Sequence, residues 1–249
     1  MKRLICIALL TLTFTSCTKS IAVEEELPDK NFYKQKVGAS ARQLLSDEQF
    51  RSLRVEVQYM RGFAPDSMAL VNLEKFLYAY LHKPAGIHIT TQEIEPSEKE
   101  VLTLSDVAAI ENSNRTRFTS GKEIVVYILY TNGYYQHDKM LGYAYRNTSA
   151  VLFGKNIVEN ASNPKTISRT NLETQVLQHE MGHLLGLVNV GSPLQSEHKD
   201  DENGKHCRNK KCLMYHQADT EQSHSLVYRK PLPKLDKACL DDLRANGGK

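Results

Sequence analysis

A surplus of one charge is what this sequence most clearly lacks: 32 lysines and arginines face 29 aspartates and glutamates, leaving a formal charge of +3 over 249 residues. A surface this close to neutral has no electrostatic hold on nucleic-acid phosphates or on an anionic membrane, so neither is expected as a partner through charge. Long apolar runs are missing as well. After the first fifteen residues nothing approaches the ~20 apolar residues that a membrane-spanning helix requires. No internal repeat is visible, and with 41% hydrophobic residues the chain can bury one good core, so one domain with appendages is the default. Cysteine is scarce, with five in all.

What is present begins at the N-terminus. Lys2 and Arg3 precede the apolar run 4-LICIALLTLTF-14, which is followed by Thr15, Ser16 and Cys17. A basic start, a short apolar stretch and small residues before a cleavage point make a secretory signal over 1–16. The cysteine directly after Thr-Ser resembles a bacterial lipobox, with Phe14 where leucine is usual. That resemblance implies cleavage before Cys17, acylation of its thiol, and an exported protein held to the cell envelope by lipid. Loss of 1–16 removes two positive charges and lowers the formal charge to about +1.

Residues 17–48 are polar and read as a tether, with one helical turn near 40-SARQLLSDEQF-50. From 49 on the pattern is that of a folded α/β (α+β) domain. Period-two alternation in 53-LRVEVQYM-60 predicts a strand, and Leu70, Leu73, Leu77 and Leu81 line one face of a helix over 66–82. A strand at 86–94, a helix near 105–114 and the apolar run 123-EIVVYILYT-131, a central strand, follow. The stretch 143-YAYRNTSAVLF-153 reads as one further strand, joined to its predecessor through the turn at 132-NGYY-135. Its polar middle suits a sheet edge, where an extended peptide could pair with it. Thr170 and Glu173 look like a capping box opening a helix through Leu187. The order implies a mixed sheet packed on helices.

That last helix carries 179-HEMGHLLGLVN-189. Residues i and i+4 share a helix face, so His179 and His183 can aim at one zinc ion. Glu180, rotated by about 100°, reaches a metal-bound water rather than the metal, and can take its proton and return it to a leaving amine.

H-E-M-G-H-L-L-G-L resembles the metzincin clan of zinc endopeptidases, whose pattern continues to a third ligand three residues after the glycine. Here that position is Asn189. The resemblance spans about 53–187 and implies a twisted mixed sheet with an active-site helix (49–187), followed by a small irregular C-terminal subdomain (188–249). Farther on, 206-HCRNKKCLMY-215 is similar to the interval from third ligand to methionine turn in matrixins, and His-Cys-x4-Cys-x-Met resembles archaemetzincins. This implies an insertion over 189–205, with His206 completing the zinc site and Met214 beneath it. His198, in 198-HKDD-201, is the alternative third ligand. The N-x-G-[ST]-P stretch at 189–193 and the later H-x-D also resemble exported, lipid-anchored zinc proteases of Bacteroidetes-type bacteria. The implied activity is zinc-dependent hydrolysis of protein or peptide substrates. The alternatives are a surface binding module with structural or vestigial zinc, and a zinc amidase acting on a non-peptide substrate.

Three cysteines remain after Cys6 and Cys17 are set aside. The archaemetzincin resemblance implies a second, cysteine-held zinc, but that needs four thiolates or an equivalent mixture and only three cysteines remain, so one catalytic zinc and no structural zinc is the expectation. In an oxidising compartment a Cys207–Cys212 disulfide is the expectation, with Cys239 left over or exchanging with either. Asp200, Asp201 and Glu202 are either a solvated acidic turn or a calcium site.

Overall fold

The computed structural model describes residues 30–136, 140–161, 167–216 and 232–249. The signal segment and Cys17, with its expected acylation, lie outside the described residues.

A five-stranded mixed sheet forms the frame. It comprises β1 (Ser52–Met60), β2 (Ile87–Ile94), β4 (Glu123–Thr131), β6 (Gly142–Arg146) and β7 (Ser149–Phe153), in the order β2-β1-β4-β7-β6. All neighbours are parallel except β6, which runs antiparallel to β7 at the edge. The two-residue strands β3 (Val101–Leu102) and β5 (Tyr134–Tyr135) pair separately. The helices are α1 (Ala41–Leu45), α2 (Ser67–Tyr80), α3 (Leu104–Asn114), α4 (Gly154–Ala161), α5 (Arg169–Leu184) and α6 (Lys237–Ala245). None among the described residues is long and apolar enough to cross a membrane.

The apolar run of β4 reflects burial on both faces. Ile124, Val126, Ile128 and Tyr130 face the larger core beneath α2 and α5, while Tyr127 and Leu129 face a second cluster containing Val107 of α3. Helix α2 starts where the Asp66 carboxylate accepts hydrogen bonds from the amides of Met68 and Ala69. It is clipped to α5: Thr170 Oγ1 donates to Asp66, and the Asp66 amide donates to Glu173.

Three sequence expectations change here. Thr170 and Glu173 do not form a capping box, because both are used in this clip; Ser168 caps α5 instead, and the helix ends at Leu184 rather than Leu187. The stretch 143–153 is not one strand but the hairpin β6–β7. Its polar residues form a buried turn, in which Asn147 Nδ2 donates to the Phe32 carbonyl and to Ser40 Oγ. Of these two strands only β6 lies at a sheet edge, opposite the β2 edge.

Nor does the tether extend to residue 48. Tyr33, Ala41, Leu44 and Leu45 are buried in the domain, and each fully buried leucine contributes ~1.5–3 kcal/mol. This segment has too few apolar residues for a periodic signal, and what holds it is tertiary. A Cβ on Gly38 would lie 1.6 Å from the Val190 carbonyl oxygen, so residue 38 packs flush against the loop after α5.

Candidate metal centre and active site

Twelve residues of α5 are buried, and His179, Glu180 and His183 are among them. Two residues past the end of α5 the chain turns at Gly186, which adopts φ +77° and whose carbonyl accepts from the amides of Val190 and Ser192. A side chain there would strike Ser192 and Ala41. Val188 and Asn189 follow with φ of +55° and +62°, a left-handed conformation that costs roughly 1–2 kcal/mol for a residue with a Cβ. Asn189 therefore serves the turn. It is exposed and lines a neighbouring cleft with Val188 and Gly191.

The inserted loop returns His206 to the helix. The ring centres of His179, His183 and His206 lie 4.8–5.3 Å apart, and one donor atom from each fits within a 4.8 Å cluster. Tautomers follow from the partners. Carbonyls only accept, so His179 Nδ1 donates to Leu213 O at 2.8 Å and His206 Nδ1 donates to Asn203 O at 2.8 Å. In a neutral ring this leaves Nε2 as the electron-pair donor, the arrangement of metal-bound imidazoles. The Nε2 atoms of His179 and His183 stand 3.1 Å apart, close to the ~3.3 Å that tetrahedral zinc with ~2.0 Å bonds sets between its ligands. His183 Nδ1 is buried with no hydrogen-bond partner among the described residues. Burial first, then the rings of His179 and His206 and the Lys205 ammonium, hold the His183 pKa well below its ordinary value, which favours the neutral ligand form.

Met214 is fully buried against Gly182 of α5, and its backbone neighbour Leu213 supplies the carbonyl that orients His179. A Cβ on Gly182 would come within 2.3 Å of Met214 Sδ. Gly182→Ala is expected to lower stability by ~1–3 kcal/mol through overpacking, seen as a lower midpoint in denaturant at unchanged slope. Gly142 of β6 meets Glu180 from above, where a Cβ would come within 3.1 Å of the carboxylate. Glu180 thus sits between the edge strand and the three rings, lining a recess with His183, His206 and Tyr143.

His198 is elsewhere. Its Nε2 bonds Asp242 Oδ2 of α6 at 2.8 Å, and its Nδ1 faces Cys239 Sγ at 3.9 Å. Burial works against its protonated form, but the bonds to Cys207 and Asp242 outweigh this and raise its pKa. The expected Cys207–Cys212 disulfide is not formed; all three described thiols are free and buried. Sequence spacing gives reach but not direction, and here α6 brings a third thiol to the pair. Cys212 Sγ stands 3.6 Å from Cys239 Sγ and accepts from the amides of Met214 and Asp236. Hydrogen bonds from Cys207 and Cys239, with those amides, pull the Cys212 thiol well below its ordinary pKa, which favours its thiolate form. His198, Cys207, Asp236 and Cys239 also group within 4.8 Å. Cys212 is outside this group but reaches Cys239, while Asp236 already caps Cys239 N and bonds Asn209 and Cys207, so three thiols and His198 are the better donor set. The sequence signal for this cluster is His198 itself, a histidine in the same C-terminal region as the three cysteines.

Asp200 closes its own loop, accepting from the amides of Glu202 and Asn203 and from Asn203 Nδ2, while Asp201 and Glu202 point to solvent. This favours the solvated acidic turn over a calcium site.

No family model matches the chain, and no curated protein matches it by sequence. Among solved structures, it is similar to archaemetzincin from Methanopyrus kandleri, with a TM-score of 0.54 and 14% identity over 79% of this chain and 96% of that one. Metalloproteinase-II from Bacteroides fragilis aligns at TM-score 0.47 and 16% identity, over 81% of this chain and about half (53%) of that protein. With its five-stranded mixed sheet packed on helices, the chain has a metzincin-like fold.

Proposed function

We propose that the protein is a zinc-dependent endopeptidase whose metal is held by His179, His183 and His206. The observation that carries this reading is the convergence of the three imidazoles beside a buried glutamate. Bound zinc would polarise the scissile carbonyl and lower the pKa of the attacking water. Glu180 accepts the proton of that water and passes it to the departing nitrogen. The outer edge of β6 offers backbone groups to an extended peptide, and Gly142 lets that peptide approach Glu180 closely. A retained general base and three-histidine set support an enzyme over a binding module with closed zinc.

Replacing Glu180 by Ala should lower kcat by ~10²–10⁴-fold while zinc content is unchanged, because the carboxylate handles protons and is not a ligand. Turnover of a peptide library and zinc per chain are the two readouts. Wild-type activity in that variant removes Glu180 from the mechanism.

The thiol cluster supports a second, structural zinc held by Cys207, Cys212, Cys239 and His198, with Asp242 fixing the imidazole as carboxylates do behind metal-bound histidines. Sulfur–sulfur separation at tetrahedral zinc is about 3.7 Å, against the ~2.05 Å of a disulfide, and the Cys212–Cys239 separation of 3.6 Å matches the former.

Residues 2–17 support export and acylation at Cys17. Cys17→Ala is expected to move the protein from the membrane to the soluble fraction; retention on membranes without detergent overturns the anchor.

A further inference from the structure

We propose that the protein selects substrates carrying a carboxylate a few residues from the bond it cuts, and that Lys36, Lys199 and Lys205 are the residues that read it. This rests on the peptidase reading above and adds a substrate class to it.

The recess at Glu180 and His206 continues into a larger cleft of about 760 Å³, and Val37, Tyr143, Ala144 and Lys205 line both. Three lysines reach this cleft from separate parts of the chain. Lys36 comes from the segment before α1, Lys199 from the bridge to Cys207, and Lys205 directly precedes His206. No aspartate or glutamate is among the described residues lining it. Nor does any of the three ammonium groups pair with a carboxylate among the described residues, whereas Lys99, Lys155 and Lys237 each sit on one. In a chain with 29 acidic residues, three unpaired cations converging beside the reacting centre leave a local excess that the near-neutral total charge hides.

A cleft walled by protein focuses such a field, and lysine ammonium groups on flexible stems accept a carboxylate without demanding one orientation. The position follows from β6. Gly142 stands at Glu180, and the strand then leads through Tyr143, Ala144 and Tyr145 along the basic cleft. A peptide paired with that edge advances ~3.3 Å per residue, so a carboxylate within ~10 Å lies two to four residues from the scissile bond. It can be an aspartate or glutamate side chain or the peptide's own C-terminus.

The test uses zinc-loaded full-length Glu180→Gln protein, which retains the cleft without turning over, and fluorescence anisotropy with three matched peptide sets. One set carries glutamate at varied positions with an amidated end, one has glutamine there, and one is neutral with a free C-terminal carboxylate. At 50 mM salt at least one carboxylate set should bind ~10-fold more tightly than the glutamine set, and the advantage should shrink to about 3-fold or less at 0.5 M salt, where screening acts within ~4 Å. Whichever set responds identifies the source of the carboxylate. Adding Lys36→Glu and Lys199→Glu, singly and together, should erase or invert the preference; Lys36 is exposed, so its single variant keeps the test intact if the pair disturbs the loop. Equal binding of all three sets, or a preference that survives both reversals, overturns the proposal. Wild-type turnover of the same peptides separately decides the peptidase reading: cleavage without charge preference leaves that reading standing and removes this one.

Discussion

Replacing His206 by Ala should strip the metal from α5, reduce zinc from about two equivalents per chain to about one, and abolish hydrolysis. Three protein ligands are the usual complement of a catalytic zinc, and removing one leaves only the helical pair His179 and His183. The affinity loss should exceed the ~10–100-fold that follows loss of a mere supporting hydrogen bond to a ligand. His198→Ala also lowers total zinc to about one, but the equivalent lost is the thiol-held one, and the zinc-loaded variant keeps the three-imidazole site. Asn189→Ala keeps both metals and loses only ~1 kcal/mol, because its backbone is left-handed, a conformation asparagine tolerates better than alanine. Zinc analysis after dialysis against a weak chelator, paired with turnover on peptides, separates the three variants. Loss of hydrolysis in His198→Ala with retention in His206→Ala would falsify the ligand assignment.

The contrast between these two histidines shows where sequence alone was sufficient and where it stopped. His179, Glu180 and His183 are fixed by helix periodicity, a local rule that needs no tertiary knowledge. The β1 and β4 strands and α2 were legible for the same reason, since one face or both are continuously apolar, whereas β2 shows only its β-branched residues after Gly86. His206 and His198 sit in an irregular loop, whose path is set by a Gly186 turn, a Ser192 hydroxyl bonded to Leu185, and the Asp242 carboxylate of a helix some 40 residues later. Only the spacing from His206 to Met214 carried information, through the family resemblance. The N-terminal segment failed differently. Its polar composition suggested a tether, but Gly38 fits where no side chain can, and Leu44 and Leu45 fill the core of a sheet they do not join. The hairpin at 146–149 reads as one strand in the sequence because its polar groups find partners inside the protein: Asn147 bonds the 32–40 segment, and Arg146 and Ser149 donate to Glu111 of α3. Burial of polar groups with partners is invisible to a pattern based on hydrophobicity.

The same blindness led to a disulfide where the thiols are free, and this sets up the second large effect. If Cys207, Cys212, Cys239 and His198 hold a zinc ion, the C-terminal segment is fastened by metal, and chelation rather than reduction should release it. Around the cluster the chain has little regular structure: α6 and the bridges Lys199–Cys207 and Cys212–Lys234 are what the described residues contain there. Such a segment depends on its cross-link. Cys239→Ser, which removes one ligand and leaves two buried thiols and an imidazole, is expected to cost ~3–5 kcal/mol, which in a domain of this size lowers Tm by roughly 10–15 °C. Wild-type protein treated with a strong chelator should show a comparable fall, while treatment with a non-chelating phosphine reductant should leave Tm unchanged. A disulfide predicts the reverse: sensitivity to the reductant and indifference to the chelator, in the wild type and in His198→Ala alike. Thiol labelling discriminates further, because metal-held cysteines become alkylated only once the chelator is present, whereas a disulfide yields to alkylation only after reduction. The decisive variant is His198→Ala. It touches no sulfur bond but breaks the buried pair with Asp242, so the telling result is a lowered Tm that the chelator no longer lowers further, which places His198 in the metal polyhedron with the thiols.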